Sequence, residues 1–422
     1  MKGETPIRRQ YLEIKKNHED AILLFRLGDF YEAFDDDARL LSRELDIALT
    51  SKPMGKNMRV PLAGIPFHSL ERHLATLISR GHRVAICEQT SVHPVKGEDG
   101  KKLIRREVTR VVTAGTVIEP QLLDSKTNNY LVSFISDGKN AGIAYADVTT
   151  GDFAATEISN KEAIAELQRL APAEILITDT QEAFSNRDLP QFVTRLNASF
   201  FDYDNAKNTI LEQFSTTSLK PFGLERSKLA VRAAGALAAY LKTTQTATAG
   251  QLSRLTSYDS GQFMRLDANS MRSLEILHSD TGASLLSIID RTKTPMGGRL
   301  LRRWLKQPLL DPAEIFRRQE HVAWLKEHRP ERESLVELLS SVKDLERLLS
   351  RARAGLISPY ELRAFGKSLE LIPQIKRVLQ ADAVRFGKIL AELPDCRAAA
   401  ELIESSISEE LPGRFNEQVG II

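Results

Sequence analysis

The chain has 422 residues, 42% of them hydrophobic and 27% charged, with a net charge of +2 and two cysteines. That length exceeds one core, so about two to four soluble domains are expected, and the near-neutral balance excludes a general basic coat for nucleic acid, leaving DNA contact to local patches. Cys87 and Cys396 are too few and too far apart for a disulfide framework or a metal site, no apolar run reaches the length of a transmembrane helix, and Met1-Lys2-Gly3-Glu4 lacks a secretory leader.

Thr5 and Pro6 fit the N-cap and first turn of a helix whose apolar face is Ile7, Tyr11 and Ile14. Ala21 to Leu27 is a short apolar run and predicts a buried strand, broken by Gly28-Asp29. If the chain stays extended, Phe30 and Glu32 project to the same side. A ring and a carboxylate side by side suit a DNA edge: an aromatic wedge partly unstacks base pairs, and an acid reads an exposed base edge. The same spacing also describes a core aromatic beside a surface charge.

Asp35, Asp36 and Asp37 start a second helix at its positive dipole end, with Phe34, Ala38, Leu41 and Leu45 as its buried stripe. Asp46 to Thr50 reads as a strand, followed by a loop from which Lys52 and Lys56 reach phosphate. Val60 to His68 leads into a helix built on Leu70, Leu74, Leu77 and Ile78 and closed by Gly81; the strand Arg83 to Gln89 follows. His68 and His73 read as helix-lining, not metal-binding. Lys96 to Arg110 is a glycine-containing basic loop, and Lys101, Lys102, Arg105, Arg106 and Arg110 are its candidates for backbone contact.

The pattern changes between Gly115 and Asn129. Three strands follow (Tyr130 to Ile135, Gly142 to Val148, Asp152 to Ile158), with turns at Asp137-Gly138 and Thr150-Gly151. A helix from Lys161 to Leu170, a strand from Glu174 to Thr178 and an alanine-rich helix from Ser227 to Lys242 complete an α/β unit. From Thr256 the chain reads as helical. Arg299, Arg302, Arg303 and Lys306 share one helix face and fit DNA, solvent or an inter-domain contact. Long amphipathic helices are expected over Leu335 to Leu349, Pro359 to Leu379 and Ala383 to Ser408. The chain contains neither Gly-x-x-x-x-Gly-Lys-Ser/Thr nor Gly-x-Gly-x-x-Gly.

Gly28-Asp29-Phe30-Tyr31-Glu32, with Phe34 and Asp36-Asp37-Ala38, resembles the mismatch-recognition motif of the MutS family of DNA mismatch-repair proteins. Val60 to His68, Arg83 to Gln89, Phe263 to Asp267, Ser273 to Leu277 and Ser287 to Gly297 extend the resemblance. It implies a multidomain α/β plus all-α fold: a mixed α/β mismatch-recognition domain (1–114), a linker (115–129), a ribonuclease-H-like α/β connector (130–250) and a helical core/lever domain (251–422). It implies that Phe30 wedges into the duplex from the minor groove at mispaired or unpaired bases and that Glu32 contacts a mispaired base. The carboxylic form of Glu32, favoured near phosphates, would donate to a base nitrogen.

The chain stops at Val419-Gly420-Ile421-Ile422, inside what resembles the core. The resemblance therefore implies a clamp, further core and an ATPase domain beyond it, where ATP and Mg would bind; no enzyme activity or cofactor is expected of this chain. Implied partners are duplex DNA with mismatches or small loops, a MutL-type protein on the connector, and a second copy in the full-length homodimer, with no membrane. A cytoplasmic, nucleoid-associated protein is expected. Two other readings remain: a MutS-like binder of branched recombination DNA, and a ribonuclease-H-type nuclease using Asp147 and Asp179, for which further carboxylates are not evident.

Overall fold

The computed structural model describes residues 5–55, 58–90, 95–96, 102–180, 192–244, 252 and 254–408, and backbone alone at 95, 96, 102 and 103. The first unit runs α1 (Pro6–Lys16), β1 (Ile22–Leu27), β2 (Phe30–Phe34), α2 (Asp35–Leu45), β3 (Thr50–Gly55), β4 (Met58–Pro66), α3 (Leu70–Ser79), β5 (Val84–Gln89), β6 (Val95–Lys96), β7 (Lys102–Leu103) and β8 (Arg106–Val112). Six strands form one mixed sheet in the order β3-β4-β2-β1-β5-β8, and β6 pairs with β7.

The run Ile22-Leu23-Leu24-Phe25 is buried on both faces because it occupies a middle strand, parallel to β5 and antiparallel to β2. On one face Leu24, Tyr31 and Ala33 pack under α2 and α3. On the other, the Tyr11 ring of α1 stands edge-on to Phe25 and Phe34, with centroids 5.6 and 4.8 Å away. Burying such a side chain stabilises by roughly 1.5–3 kcal/mol, so the inner residues hold the β1–β2 hairpin.

Asp37 does more than favour a helix dipole. It is buried and accepts from Tyr11 Oη (3.1 Å), Leu23 N (3.0 Å) and Lys15 Nζ (2.9 Å). The strand expected over Asp46 to Thr50 starts at Thr50, because Asp46 ends α2 in a left-handed conformation at φ +53°. Phe34 ends β2 and does not enter the helix.

The second unit comprises β9 (Leu131–Ser136), β10 (Asn140–Asp147), β11 (Asp152–Ser159), α4 (Asn160–Leu170), β12 (Glu174–Thr178), β13 (Val193–Leu196), α5 (Tyr203–Gln213), α6 (Lys228–Thr244) and β14 (Thr256–Ser257). Its sheet order is β13-β12-β9-β10-β11-β14: an antiparallel meander flanked by parallel strands, the ribonuclease-H-like arrangement. Alanine-rich α6 lies close to β10, where a Cβ at Gly142 would stand 2.1 Å from the Leu229 carbonyl oxygen. Residues 115–129 are not a loose tether. Val117 enters the first core and Ile118 the second, and Gly115 N donates to buried Glu174 at 3.0 Å.

The remaining chain forms α7 (Ala268–Ser273), α8 (Leu285–Ile289), α9 (Pro295–Lys306), α10 (Pro312–Glu327), α11 (Arg329–Ser341), α12 (Leu345–Arg353), α13 (Pro359–Leu369), α14 (Ile372–Leu379), α15 (Gly387–Glu392) and α16 (Arg397–Ser406). The three long helices expected here are each broken. Asp344 caps a new helix between α11 and α12, Glu370-Leu371 separates α13 from α14, and Pro394 falls between α15 and α16. No described helix is long and apolar enough to cross a membrane.

Candidate nucleic-acid interface

Strand alternation builds the candidate edge. β1 and β2 turn at Gly28-Asp29, with Leu27 paired to Phe30 and Phe25 to Glu32. Gly28 sits at φ +60°, open to glycine without a Cβ clash. Phe30, Glu32 and Phe34 lie on one side of β2. Tyr11 covers Phe34 at the inner end, while Phe30 at the outer end is 46% exposed. The ring is therefore not a core aromatic, and the residues behind it are fixed.

Glu32 is half-buried, and both carboxylate oxygens accept from Lys52 Nζ, at 3.0 and 3.3 Å. β4 lies between the two residues, with Gly64 opposite Glu32. A Cβ at Gly64 would stand 3.2 Å from the Tyr31 carbonyl oxygen and 3.4 Å from Glu32 Cγ, so glycine keeps this passage open. Lys52 thus belongs to edge strand β3, not to a loop, and is spoken for by Glu32.

Sequence reasoning missed two residues at this tip. Phe67, just beyond β4, is 44% exposed, and its N–H donates to the Asp29 carbonyl at 2.9 Å. The Arg26 guanidinium lies over the Phe67 ring at 4.3 Å and the Tyr31 ring at 5.3 Å, and its Nε donates to the Gly28 carbonyl at 2.6 Å. Burial, then the hydrogen bond to Glu88, pushes the Tyr31 hydroxyl up to about 12, so it stays a neutral donor. Phe67 falls one residue past the strand, where period-2 alternation gives no signal; pairing of Phe30 with Pro66 brings it to the tip.

The basic segment divides. Arg105 is exposed and pairs with Glu107 at 2.8 Å; a surface pair of this kind is worth about 0–1 kcal/mol, small enough for a phosphate to replace. Arg106 is corrected: it is buried, donates to the Arg26 carbonyl (2.7 Å), Ile104 carbonyl (2.9 Å) and Gln10 (3.3 Å), and lies 5.1 Å over the Phe25 ring. Arg110 is also corrected, because it is ion-paired to buried Glu119. Lys56 and Lys101 lie outside the described residues, and Lys102 is described only as backbone in β7.

The nuclease reading loses its leading carboxylate. Asp147 is fully buried and accepts from Asn128 Nδ2 (2.9 Å), Asn129 N (3.1 Å), Thr149 N (2.9 Å) and Thr149 Oγ1 (2.6 Å). Among the described residues no group of three or more His, Cys, Asp or Glu is placed to hold a metal, which also covers His68 and His73. The cationic face of α9 makes inter-domain contacts. Arg299 donates to Asp344, Glu346 and the Ser125 carbonyl at 2.7–2.8 Å, and Arg303 donates to Asp152 at 2.7 Å.

Three family models match in chain order: MutS domain I over residues 5–121, MutS domain II over 129–255 and MutS domain III over 269–421. The DNA mismatch repair protein MutS of Dehalococcoides mccartyi is 42% identical over 422 residues, covering 99% of this chain and 49% of that protein. The proteins of the same name from Syntrophobacter fumaroxidans and Symbiobacterium thermophilum are each 40% identical, covering 97% and 98% of this chain and 47% and 48% of theirs. The chain thus spans about half the length of the curated relatives it matches. With three consecutive domain matches on an architecture of two sheet units and a helical region, the chain belongs to the MutS family.

Proposed function

We propose that this chain carries the part of a mismatch-repair protein that recognises mispaired or unpaired bases in duplex DNA, by a deformability test made at the β1–β2 tip. The observation that carries the reading is the exposed Phe30 ring on a hairpin whose inner apolar residues are locked in two cores. Phe30 inserts from the minor groove and unstacks a step, which costs a few kcal/mol for paired bases and less where pairing is already lost. The kink costs on the order of 1–6 kcal/mol and is cheaper at a weakly stacked site.

The Lys52–Glu32 pair supports a second step. On contact Lys52 turns to a phosphate, and Glu32 is released to a base edge as a hydrogen-bonding group. If it donates as the acid, Glu32→Gln keeps mismatch binding at neutral pH, and loss of binding in that variant counts against the protonated form. Arg105, and Lys52 once freed, are the phosphate contacts proposed among the described residues.

Family membership supports a longer protein that passes this signal to an ATPase domain with ATP and Mg, pairs as a homodimer, acts in the cytoplasm and meets a MutL-type protein on the second unit. Binding of branched recombination DNA without a wedge is less well supported, because the ring is present and exposed. The test is the affinity of wild type and Phe30→Ala, in the full-length context, for G·T and fully paired duplexes. A fall of about tenfold or more in the mismatch preference is expected, and an unchanged preference would reject the wedge. Competition with junction DNA checks the branched-DNA reading.

A further inference from the structure

A cleft between the second unit and α9 is lined by six cations: Lys126, Arg169, Arg299, Arg302, Arg303 and Lys306. No carboxylate lines it. Four of the six have acids behind them: Lys126 on Asp290 (2.9 Å), Arg169 on Glu166 (2.8 Å), Arg299 on Asp344 and Glu346, and Arg303 on Asp152. The side chains of Arg302 and Lys306 make no hydrogen bond or ion pair among the described residues, and Arg302 Nε is buried without a partner. Asp124, whose carboxyl is lowered partly by Arg302, is held by Lys126 N (2.8 Å) and Thr127 Oγ1 (3.0 Å).

Like charges gathered in a cleft repel one another even where acids stand behind some of them, and an anion that joins them on the open side relieves the repulsion. Lys306 shows the strain: burial, then the neighbouring Arg169 and Arg302, push its ammonium down to about 8. The cleft's cavity volume is about 70 Å³, below that of drug-sized ligand sites and suited only to a compact ion. It is far too small for a duplex whose major groove alone is about 12 Å wide. Its walls come from residues 126–130, the C-terminal end of α4 and the last two turns of α9, so an occupant would touch the second unit and the helical region together.

We propose that this cleft binds a small phosphate-class anion, with Arg302 and Lys306 as its main ligands and Arg169 and Arg303 framing it, and that the bound anion clamps the second unit onto α9. Guanidinium supplies paired donors for phosphate oxygens and ammonium supplies a point charge, the combination that charge-assisted phosphate binding uses. The site is separate from the β1–β2 tip and stands whether or not Phe30 is a wedge.

The experiment is a titration of this chain with inorganic phosphate and, separately, pyrophosphate, at ionic strength held constant with chloride. Calorimetry reads affinity, and hydrogen exchange reads protection. Saturable binding that protects residues 126–130 and α9 is expected. Arg302→Gln and Lys306→Met should each weaken it about tenfold or more, while Lys306→Arg, which keeps the charge, should retain it. Pyrophosphate binding much tighter than phosphate would identify a polyphosphate ligand and still uphold the site. No saturable effect beyond chloride, equal affinity in the two charge-removing variants, or engagement of these residues by duplex DNA alone would overturn it.

Discussion

At the tip of the β1–β2 hairpin and at the junction beneath α9, the fold leaves groups unsatisfied in opposite ways. At the tip an apolar ring faces water, while the nearby charges Glu32 and Lys52 satisfy each other. At the junction Arg302 and Lys306 stand beside other cations, and their side chains form no ion pair among the described residues. An exposed ring on a rigid edge suits insertion into a stack of bases. Crowded cations in a cleft suit a compact anion. A basic stretch in sequence is therefore a poor guide to DNA contact: the cationic helix α9 ties domains together, and the strongest nucleic-acid candidate is a phenylalanine.

Arg299 is the residue whose loss should cost the junction most. Its buried guanidinium ties Asp344, Glu346 and the Ser125 carbonyl together, so Arg299→Ala leaves the mostly buried Asp344 with only the longer Arg347 ion pair at 3.9 Å. A loss of about 3–5 kcal/mol is expected in chemical denaturation, and a loss below about 1 kcal/mol would show that the junction is not held by charge.

Lys306→Met should act in the opposite direction. Burial and the neighbouring Arg169 and Arg302 push the Lys306 ammonium down to about 8 in the folded chain, from an ordinary value of 10.5. The unfolded state therefore binds more protons between these values, and wild-type stability rises with pH across that window. The variant should lose this slope and gain on the order of 1–3 kcal/mol at pH 7 without phosphate. A less stable variant with an unchanged pH slope would remove the like-charge account.

Smaller effects are expected at the tip. Phe30→Ala should change folding stability by no more than about 0.5 kcal/mol, because the ring lies outside both cores. Lys52→Ala should cost less than about 1 kcal/mol for the same peripheral reason. Thermal denaturation checks both, and a large loss in either would make the tip a structural element.

What could be read from the sequence was local. The buried run of β1, the Gly28-Asp29 break, the Thr5 cap of α1 and the bounds of β12 follow from short-range pattern, and so does placing Phe30 and Glu32 on one side of a strand. What could not be read depended on residues far away in the chain. Arg106 resembles its exposed neighbours until β8 folds beside β5 and its guanidinium meets the Arg26 carbonyl, 80 positions earlier. Arg110 is claimed by Glu119, which packs with residues of the supposed linker. An amphipathic helix such as α9 shows which face is charged but not that Asp152 and Asp344 will stand opposite it.

The central claim is that Phe30 reads how easily a duplex gives way, not which bases it contains. The most direct measurement is the affinity of the full-length protein for a single mismatch placed between flexible pyrimidine–purine steps or between stiff A-tract steps, with wild type and Phe30→Ala in parallel. The account predicts tighter binding at the flexible site for wild type, by about tenfold for a difference of roughly 1.4 kcal/mol in bending, and no such dependence for the variant. Affinity that follows the identity of the mismatched bases and ignores the flanking stiffness would contradict it.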